Sequence, residues 1–399
     1  MKDVFIYDAI RSARTRAKAD GGLHELTPPE LLGQLYQHLE TRCGLNPALI
    51  SEIIHGCVTQ AGEQAANIAK TSALHAGWPD SVAGLTVNRF CSSSIDAIAI
   101  AGLKIAAGQA SAVVAGGIEM MSRVPMLSDG ARVFSDPAYA VRNQVLLMGS
   151  GADLIATRLK ASREDCDAVG LQSQQRAAQA QAEGRFSSTV PIETSAGAIN
   201  TDECVRGGIT MEKLSALPPA FAELGAAGAD AVQLKRYPEL ECIEHVHTAG
   251  NSPAMCDAAA VVLLGDAQLG KALGIAPRAR LMASTTACGE PLEVLSGCIS
   301  ATRKLIDENA LKTDDIDLFE IHEAFAATMI KAERELALGQ DRLNVNGGVI
   351  ALGHPMGATG AIMTGTLLDE LERQALTTGV VAASGAAGSG SALLITRET

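Results

Sequence analysis

The chain has 399 residues, of which 47% are apolar and 3% aromatic, and its formal net charge is −13. This acidic balance argues against a nucleic-acid-binding protein, which needs a basic surface. The length allows two or three domains around a large core, and the alanine- and glycine-rich composition favours helices packed against sheets over an all-β fold.

Nine cysteines are scattered through the chain without any Cys-x-x-Cys pair, which indicates a reducing compartment. Neither an N-terminal targeting pattern nor an apolar run of membrane-spanning length is present. We therefore expect a cytoplasmic protein with neither membrane nor nucleic acid among its partners. The one close histidine pair, His245 and His247, is expected to lack acidic partners, so we predict no metal site there.

The first third of the chain alternates predicted strands and helices. In chain order these are a strand at Val4–Tyr7, a helix at Leu31–Leu39, a segment ending in a strand at Ile50–Val58, a helix at Ala65–Leu74 and a strand at Leu85–Val87. A very apolar helix follows Ser94, and Ala112–Gly117 is a core-type strand ending in glycines. Alternation of this kind predicts an α/β protein with sheets covered on both faces.

Cys91 lies between the strand at Leu85–Val87 and the apolar helix, just ahead of the helix N-terminus. Unpaired N–H groups and the positive end of the helix dipole favour an anion there. We therefore expect a lowered thiol pKa and a nucleophilic Cys91. The alternative is an inert, buried structural cysteine, and this stretch alone favours neither.

Residues 123–249 differ from what precedes them in their charges, their proline-rich turns and a helical stretch at Arg163–Glu183. They are predicted to form an inserted, mostly surface domain that covers a ligand site.

The last third repeats the plan of the first at an offset of roughly 260 to 270 residues. Asp315–His322 corresponds to Ile50–His55, Asn344–Asn346 to Thr86–Asn88, and Val380–Gly385 to Val113–Gly117. The repeat predicts two halves of one topology and makes the glycine-flanked His354 the counterpart of Cys91. A Cys–His pair can generate a thiolate and accept an acyl group. The loop at Ser384–Gly390 offers backbone N–H groups suited to an oxyanion hole, or is a plain glycine turn.

Several long motifs in order resemble the thiolase family, which makes or cleaves 3-ketoacyl-CoA thioesters. The resemblance covers essentially the whole chain and rests on Asn88–Ser93, Gly116–Ser122, Thr248–Asn251, His322–Phe325 and Gly353–Gly360. It implies a five-layered αβαβα fold built from two repeated halves plus a loop domain that binds CoA. The expected boundaries are 1–122, completed by about 250–273, for the first half, 123–249 for the loop domain and 274–399 for the second half.

The resemblance also implies roles for matching residues. Cys91 takes the acyl group, His354 activates it, and His322 stands where other members have Asn or His orienting a water in one oxyanion hole. Backbone N–H groups of Cys91 and Ala386 form the other oxyanion hole. The CoA and substrate site is expected to include Met148, Ala249, Ser252, Ala324 and Phe325. CoA and acyl-CoA are implied as substrates, with no permanently bound cofactor and no metal, in a homodimer or homotetramer.

Ser384 departs from the family pattern, which places a second cysteine there to move the substrate α-proton. A serine hydroxyl titrates roughly five units above a thiol, or about 7 kcal/mol in forming the anion, so a catalytic role for Ser384 is doubtful. Ser94 and Pro253 depart as well. Three hypotheses follow: a 3-ketoacyl-CoA thiolase, a thiolase-like acyltransferase that passes the acyl group to another acceptor, and a catalytically silent binding partner.

Overall fold

The computed structural model describes residues 1–397. The strands are Phe5–Arg11 (β1), Thr15–Arg16 (β2), Glu52–Gly56 (β3), Ala83–Val87 (β4), Ala112–Met120 (β5), Ile192–Thr194 (β6), Gly197–Ile199 (β7), Cys256–Gly265 (β8), Ala279–Cys288 (β9), Leu318–Ile321 (β10), Thr378–Ser384 (β11) and Ser389–Thr396 (β12). Each strand predicted in the first third lies within or overlaps one of these.

The helices of the first half and the inserted segment are Pro28–Cys43 (α1), Ile68–His75 (α2), Ser93–Ala106 (α3), Arg132–Ser135 (α4), Pro137–Asn143 (α5), Met148–Leu159 (α6), Arg163–Ala182 (α7), Met211–Ser215 (α8), Ala222–Leu224 (α9) and Asp230–Arg236 (α10). Those that follow are Ala267–Leu273 (α11), Gly297–Glu308 (α12), Ala326–Leu336 (α13), Val349–Leu352 (α14) and Thr359–Arg373 (α15). Local signals set the ends of α1. Thr27 and Glu30 form a capping box, and Gly44 ends the helix in the left-handed conformation.

Within residues 1–397, ten strands form one sheet, and its two halves have the same order of strands from the centre outward. From the centre outward the first half runs β1, β8, β5, β3, β4, and the second runs β9, β12, β11, β10, followed by a parallel bridge from Phe319 to Leu343. In the first half β1–β8 and β8–β5 are antiparallel pairs and β5–β3 is a parallel pair. In the second half β9–β12 and β12–β11 are antiparallel pairs and β11–β10 is a parallel pair. Within the described residues, the two half-sheets are joined by two residue pairs between β1 and β9. The repeat predicted from the sequence is therefore a structural repeat.

Alternate residues of the core strands face different helical layers, as the two-residue period of a strand requires. Val113 and Val381 pack with α3 and α15, which lie between the two half-sheets and contact each other. Val114 packs with α1 and α2 on the outer side of the first half. Val380 packs with α12 and α13 on the outer side of the second. The result is five layers, αβαβα, with α3 and α15 at the centre.

The inserted segment holds α4 to α10 and the hairpin β6–β7. The expectation of a mostly surface segment is wrong for α6, which is buried from Gly149 to Ala156. Leu154 and Ile155 of α6 share an apolar cluster with Phe325 of the second half, because the segment packs directly over the loops that precede α13. No helix within residues 1–397 is both long enough and apolar enough to cross a lipid bilayer.

Candidate active site

Cys91 sits in a sharp turn between β4 and α3. Asn88 holds this turn on both sides, because its side-chain amide donates to the carbonyl of Val58 at 3.0 Å and its Oδ1 accepts from the N–H of Phe90 at 2.8 Å. Phe90 has a φ of 51°, an unusual value for a residue with a side chain. A strained residue directly before Cys91, fixed by two hydrogen bonds, indicates a turn built to present the thiol.

The predicted low pKa of the Cys91 thiol is wrong. The pKa of Cys91 is raised to about 12, chiefly by burial and to a lesser extent by the nearby carboxylate of Glu119. Removal of the thiolate from water outweighs the helix N-terminus, whose effect is a fraction of a unit charge. Cys91 is therefore a thiol at rest, and a base has to take its proton at the moment of attack.

His354 lies in the glycine turn before α15, as the sequence indicates. Gly353 has a φ of 102°, and the N–H of His354 donates to the carbonyl of Ala254 at 2.7 Å. The hydroxyl of Thr359 lies 2.8 Å from Nδ1, which fixes the ring orientation. Burial, then the neighbouring His322 and Arg14, lower the pKa of His354 well below its ordinary value. The imidazole is therefore neutral and can accept a proton.

His322 lies beside His354, with ring centroids 4.4 Å apart and ring planes at 37°. It follows β10, and its backbone N–H donates to the carbonyl of Ala382 at 2.8 Å. The side chain is buried, and neither ring nitrogen has a hydrogen-bond partner among residues 1–397. Burial lowers the pKa of His322 to about 4, against a smaller opposing effect of the backbone at Ser384. Two unpartnered buried nitrogens are an unusual arrangement that a bound ligand would satisfy.

Cys91, His322 and His354 line one cavity of about 460 Å³. Predicted binding residues Met148, Ser252, Ala324 and Phe325 line it too, and so does Pro253, one of the departures from the family pattern. Ala249 is exposed and is not among the residues lining this cavity. Further lining residues that sequence reasoning missed are Met126, Leu127, Leu147, Gly149, Phe221, Leu224, Met255, Leu295 and Met356. Most of these are ordinary apolar residues, which carry no local signal of a site.

A second cavity, of about 260 Å³, also borders Cys91. It shares Cys91, Met126, Leu127, Met148 and Met356 with the first and adds Val58, Thr59, Asn88, Phe90, Asp129, Ala131, Val133, Phe134 and Ala386. Cys91 therefore stands between two spaces, only one of which holds the histidines.

Cys91 and Ala386, the two predicted oxyanion donors, both line the smaller cavity. Within the described residues, the backbone N–H groups of Cys91 and Ala386 make no hydrogen bond, although the surrounding loop is well bonded. Gly385 donates to the carbonyl of Ser389 at 2.7 Å, and Gly388 donates to that of Val294 at 2.9 Å. Free donors on a fixed loop are the arrangement that stabilises a developing oxyanion.

Ser384 is fully buried and is not among the residues lining either cavity. Its hydroxyl donates to the carbonyl of Leu295 at 2.6 Å and accepts from the N–H of Cys298 at 2.9 Å. Both hydrogen bonds tie the end of β11 to the segment that begins α12. The hydroxyl thus connects two backbone segments. Ser94, another departure, has a similar place, since its hydroxyl accepts from the N–H of Ala361 in α15 at 2.9 Å.

Replacing Ser384 with alanine is expected to lower the free energy of unfolding by about 2 kcal/mol, because two buried backbone groups lose their partner. Urea denaturation at pH 7 measures this. Thr302→Val is the matched control: Thr302 is buried in α12, and its hydroxyl has no partner within residues 1–397. Equal stability of the two variants would contradict the structural role of the Ser384 hydroxyl.

Glu119 holds two loops of the site together, and sequence reasoning did not identify it as a functional residue. It is fully buried at the end of β5 and accepts from the N–H groups of Val58, Thr59 and Gly357 at 3.0 Å and from the Gln64 amide at 2.8 Å. One carboxylate thereby joins the loop after β3 to the loop that follows His354. The available signal was a charged residue inside the apolar run Ala112–Met120.

The histidine pair does have acidic partners, contrary to the sequence-based expectation. Nδ1 of His245 and Nδ1 of His247 lie 2.8 and 2.7 Å from the carboxylate of the fully buried Asp153, and Asp230 contacts the other nitrogen of His245 at 3.1 Å. These contacts order the segment that leads to Ser252. Among residues 1–397, no group of three or more His, Cys, Asp or Glu side chains is arranged to hold a metal ion.

Stability is expected to fall as the pH drops below 6.5, because buried histidines resist protonation. Burial lowers the pKa of His55 to about 3, so between pH 6.5 and 3 the unfolded chain binds a proton that the folded chain does not. In that window His55 contributes about 1.4 kcal/mol of lost stability per pH unit. His55→Gln should flatten the dependence measured by urea denaturation at pH 7, 6 and 5. His75→Gln, at an exposed histidine, is the control, and an unchanged slope in His55→Gln would contradict the prediction.

Comparisons with known proteins show the family of the chain. Residues 4–235 match the family model "Thiolase, N-terminal domain", and residues 275–397 match "Thiolase, C-terminal domain". The 3-ketoacyl-CoA thiolase of Bacillus subtilis is 36% identical over 98% of both chains. The beta-ketoadipyl-CoA thiolase of Acinetobacter baylyi is 35% identical over 100% of both. The crystal structure of the Bacillus anthracis acetyl-CoA acetyltransferase superposes with a TM-score of 0.86 at 33% identity, over 100% of this chain and 99% of that one. The chain therefore belongs to the thiolase family and is an acyltransferase of that family.

Proposed function

We propose that the protein cleaves 3-ketoacyl-CoA with CoA, or forms it by the reverse condensation, through an acyl-enzyme on Cys91. The observation that carries this is the meeting of Cys91, His354 and His322 in one cavity, beside the free N–H groups of Cys91 and Ala386. Acyl transfer needs a nucleophile, a base and an oxyanion site, and these residues supply one of each.

Catalysis begins with transfer of the Cys91 proton to neutral His354, whose second ring nitrogen makes no hydrogen bond within the described residues. The thiolate attacks the 3-keto carbon, and the oxyanion that forms accepts hydrogen bonds from the backbone N–H groups of Cys91 and Ala386. The bond between C2 and C3 breaks, its electron pair stays on C2, and acetyl-CoA leaves after C2 gains a proton. The thiol of a second CoA then attacks the Cys91 thioester and releases the shortened acyl-CoA.

The two cavities suggest where the parts of the substrate bind. The larger one holds the histidines and the family's CoA-site positions, so we assign the pantetheine arm to it and the acyl chain to the smaller one. At roughly 30 Å³ per heavy atom, the volume of a water molecule, about 260 Å³ holds on the order of eight carbons. No Lys, Arg or His is among its described lining residues, and Asp129 is exposed at the same cavity. A neutral, apolar acyl chain fits this site, whereas a carboxylated chain would lose its hydration without gaining a cation.

The test is thiolysis of 3-oxooctanoyl-CoA and 3-oxoadipyl-CoA, with the acyl-enzyme followed by intact-protein mass spectrometry. We expect kcat/KM to favour the apolar substrate by about 100-fold or more, the effect of one unpaired buried charge. Val133→Arg, inside the small cavity, should reduce that preference at least tenfold. Val141→Arg, on an exposed neighbouring helix position, should not change it. Equal rates for both substrates in the parent would overturn the substrate assignment, and the absence of any Cys91 adduct would overturn the proposed function.

We also propose a cytoplasmic homodimer or homotetramer. All nine cysteines are free within the described structure, as a reducing compartment allows. Leu103 of α3 and Met282 of β9 are 62% and 45% exposed and line one surface groove that spans both halves. Exposed apolar groups of this kind favour association. Light scattering of the purified protein gives the solution mass, and a monomer at micromolar concentration would contradict the proposal.

A further inference from the structure

Thiolysis and condensation both require a group that moves a proton at C2 of the acetyl unit, and Ser384 is not placed to be that group. Its hydroxyl already donates to Leu295 and accepts from Cys298, and it is not among the residues lining the cavity. Generation of a serine alkoxide would also break the hydrogen bond to Leu295 in a site that excludes water. Cys298 is fully buried and does not appear in the cavity lining either.

His322 meets the requirements that Ser384 fails. Its ring lines the cavity that holds Cys91 and His354, and the side chain is 1% exposed. Both nitrogens lack hydrogen-bond partners within residues 1–397, so one can carry a proton while the other accepts one. The 4.4 Å separation from the His354 ring places the two imidazoles side by side in the wall of one cavity.

We infer that His322 is the acid–base group for the C2 proton, an assignment that rests on the proposed function. In condensation, a ring nitrogen of His322 takes a proton from the methyl group of acetyl-CoA. The resulting electron pair on C2 attacks the thioester carbon of acylated Cys91, the carbon–sulfur bond breaks, and the thiolate leaves. In cleavage, His354 takes the Cys91 thiol proton and passes it to His322, which delivers it to C2 as the bond between C2 and C3 breaks. Both histidines are then neutral again, so protons balance over the half-reaction.

The surroundings of His322 suit a base that is free at neutral pH. His322 also lines a small pocket together with Arg14, Glu320 and Glu323. His354 and Cys91 are its neighbours in the larger cavity of about 460 Å³. Burial raises the pKa of Glu320 and of Glu323, which weakens the tendency of either carboxyl to hold a proton on His322. Arg14 is buried and lines the same small pocket, and, in addition to burial, it lowers the pKa of the neighbouring His354, which disfavours a cation on the histidine pair. An imidazolium formed here therefore gives up its proton readily to a carbanion.

His322→Asn separates proton transfer from oxyanion stabilisation, because asparagine can donate a hydrogen bond but cannot take up a proton. Two readouts are made on the full-length protein: exchange of the acetyl-CoA methyl hydrogens in D₂O, and acylation of Cys91 by octanoyl-CoA, which needs no C2 proton transfer. We expect exchange to fall by about 100-fold or more, the usual contribution of a general base. Acylation should stay within a few-fold of the parent.

Each other outcome overturns the inference. Exchange within a few-fold of the parent would show that His322 does not move the proton, and equal loss of exchange and acylation would show an oxyanion or structural role only. Loss of exchange in folded Ser384→Ala would assign the proton to Ser384. Acylation of the parent without any exchange would overturn the inference and leave acyl transfer standing, whereas no acylation at all would overturn the proposed function itself. His322→Gln serves as the second variant if His322→Asn does not fold.

Discussion

Cys91→Ala is expected to lower thiolysis of a 3-ketoacyl-CoA by a factor on the order of 10⁴ or more, because no acyl-enzyme can form without the thiol. Its neighbours cannot replace it. His322 and His354 line the same cavity, but they are placed to move protons. Ser384 is fully buried and is not among the residues lining that cavity. Residual activity would come only from CoA binding and the free oxyanion donors. Steady-state kinetics measure the loss, and intact-protein mass spectrometry after addition of octanoyl-CoA shows whether an adduct remains.

Cys288→Ala is the matched control for the loss of a thiol, since Cys288 is exposed at the end of β9. It should keep both turnover and the adduct. An adduct of equal yield on Cys91→Ala would place the acyl group on another residue and contradict the assignment of the nucleophile. The rise of the Cys91 pKa with burial gives a further expectation: alkylation of the resting enzyme by iodoacetamide should be slow at pH 7.

Glu119→Ala should lower the free energy of unfolding by about 4 kcal/mol or more. The substitution leaves up to four donors without an acceptor, and each buried orphan costs on the order of 1–3 kcal/mol. The donors at Val58 and Thr59 lie on one loop and that at Gly357 on another, so their relative position is also lost. Urea denaturation gives the stability, and turnover per folded molecule reports the displacement of the His354 turn.

Glu63→Ala controls for the loss of a carboxylate, because the exposed Glu63 pairs with Arg123 near the surface. Exposed ion pairs contribute about 0–1 kcal/mol, so the change in unfolding free energy should be small. If Glu119→Ala were no more destabilised than Glu63→Ala, the four short contacts would carry little energy and the linking role of Glu119 would be wrong.

Much of the architecture follows from local patterns. The valine-rich runs at Val113–Gly117 and Val380–Gly385 are apolar at every position except Ser384, which predicts strands covered on both faces. Both runs lie between two helical layers. The spacing of these runs predicts the structural repeat, because equal patterns at a constant offset bury equal faces. The glycine turn before His354 and the small hydroxyl residues after Cys91 likewise mark two sharp strand-to-helix connections.

Local sequence patterns do not predict pKa shifts or the hydrogen-bond partners of buried side chains. The helix N-terminus suggested a lowered pKa at Cys91, yet the depth of burial, which depends on how the halves and the inserted segment pack, reverses the shift. The contacts of Asp153 with His245 and His247 join residues about ninety positions apart. Neither effect has a signature within a few residues of the side chain concerned.

The amino-acid sequence by itself determined the repeated α/β halves and the residue types at Cys91, His322, His354 and Ser384, because strand and helix periods and motif residues are local properties. The tertiary structure alone decided that the Ser384 hydroxyl is bonded to two backbone groups at the start of α12, that Glu119 links two loops, and that both nitrogens of His322 have no hydrogen-bond partner within residues 1–397. Hydrogen-bond partners and solvent access arise only when distant segments pack together, and these set which groups can move a proton.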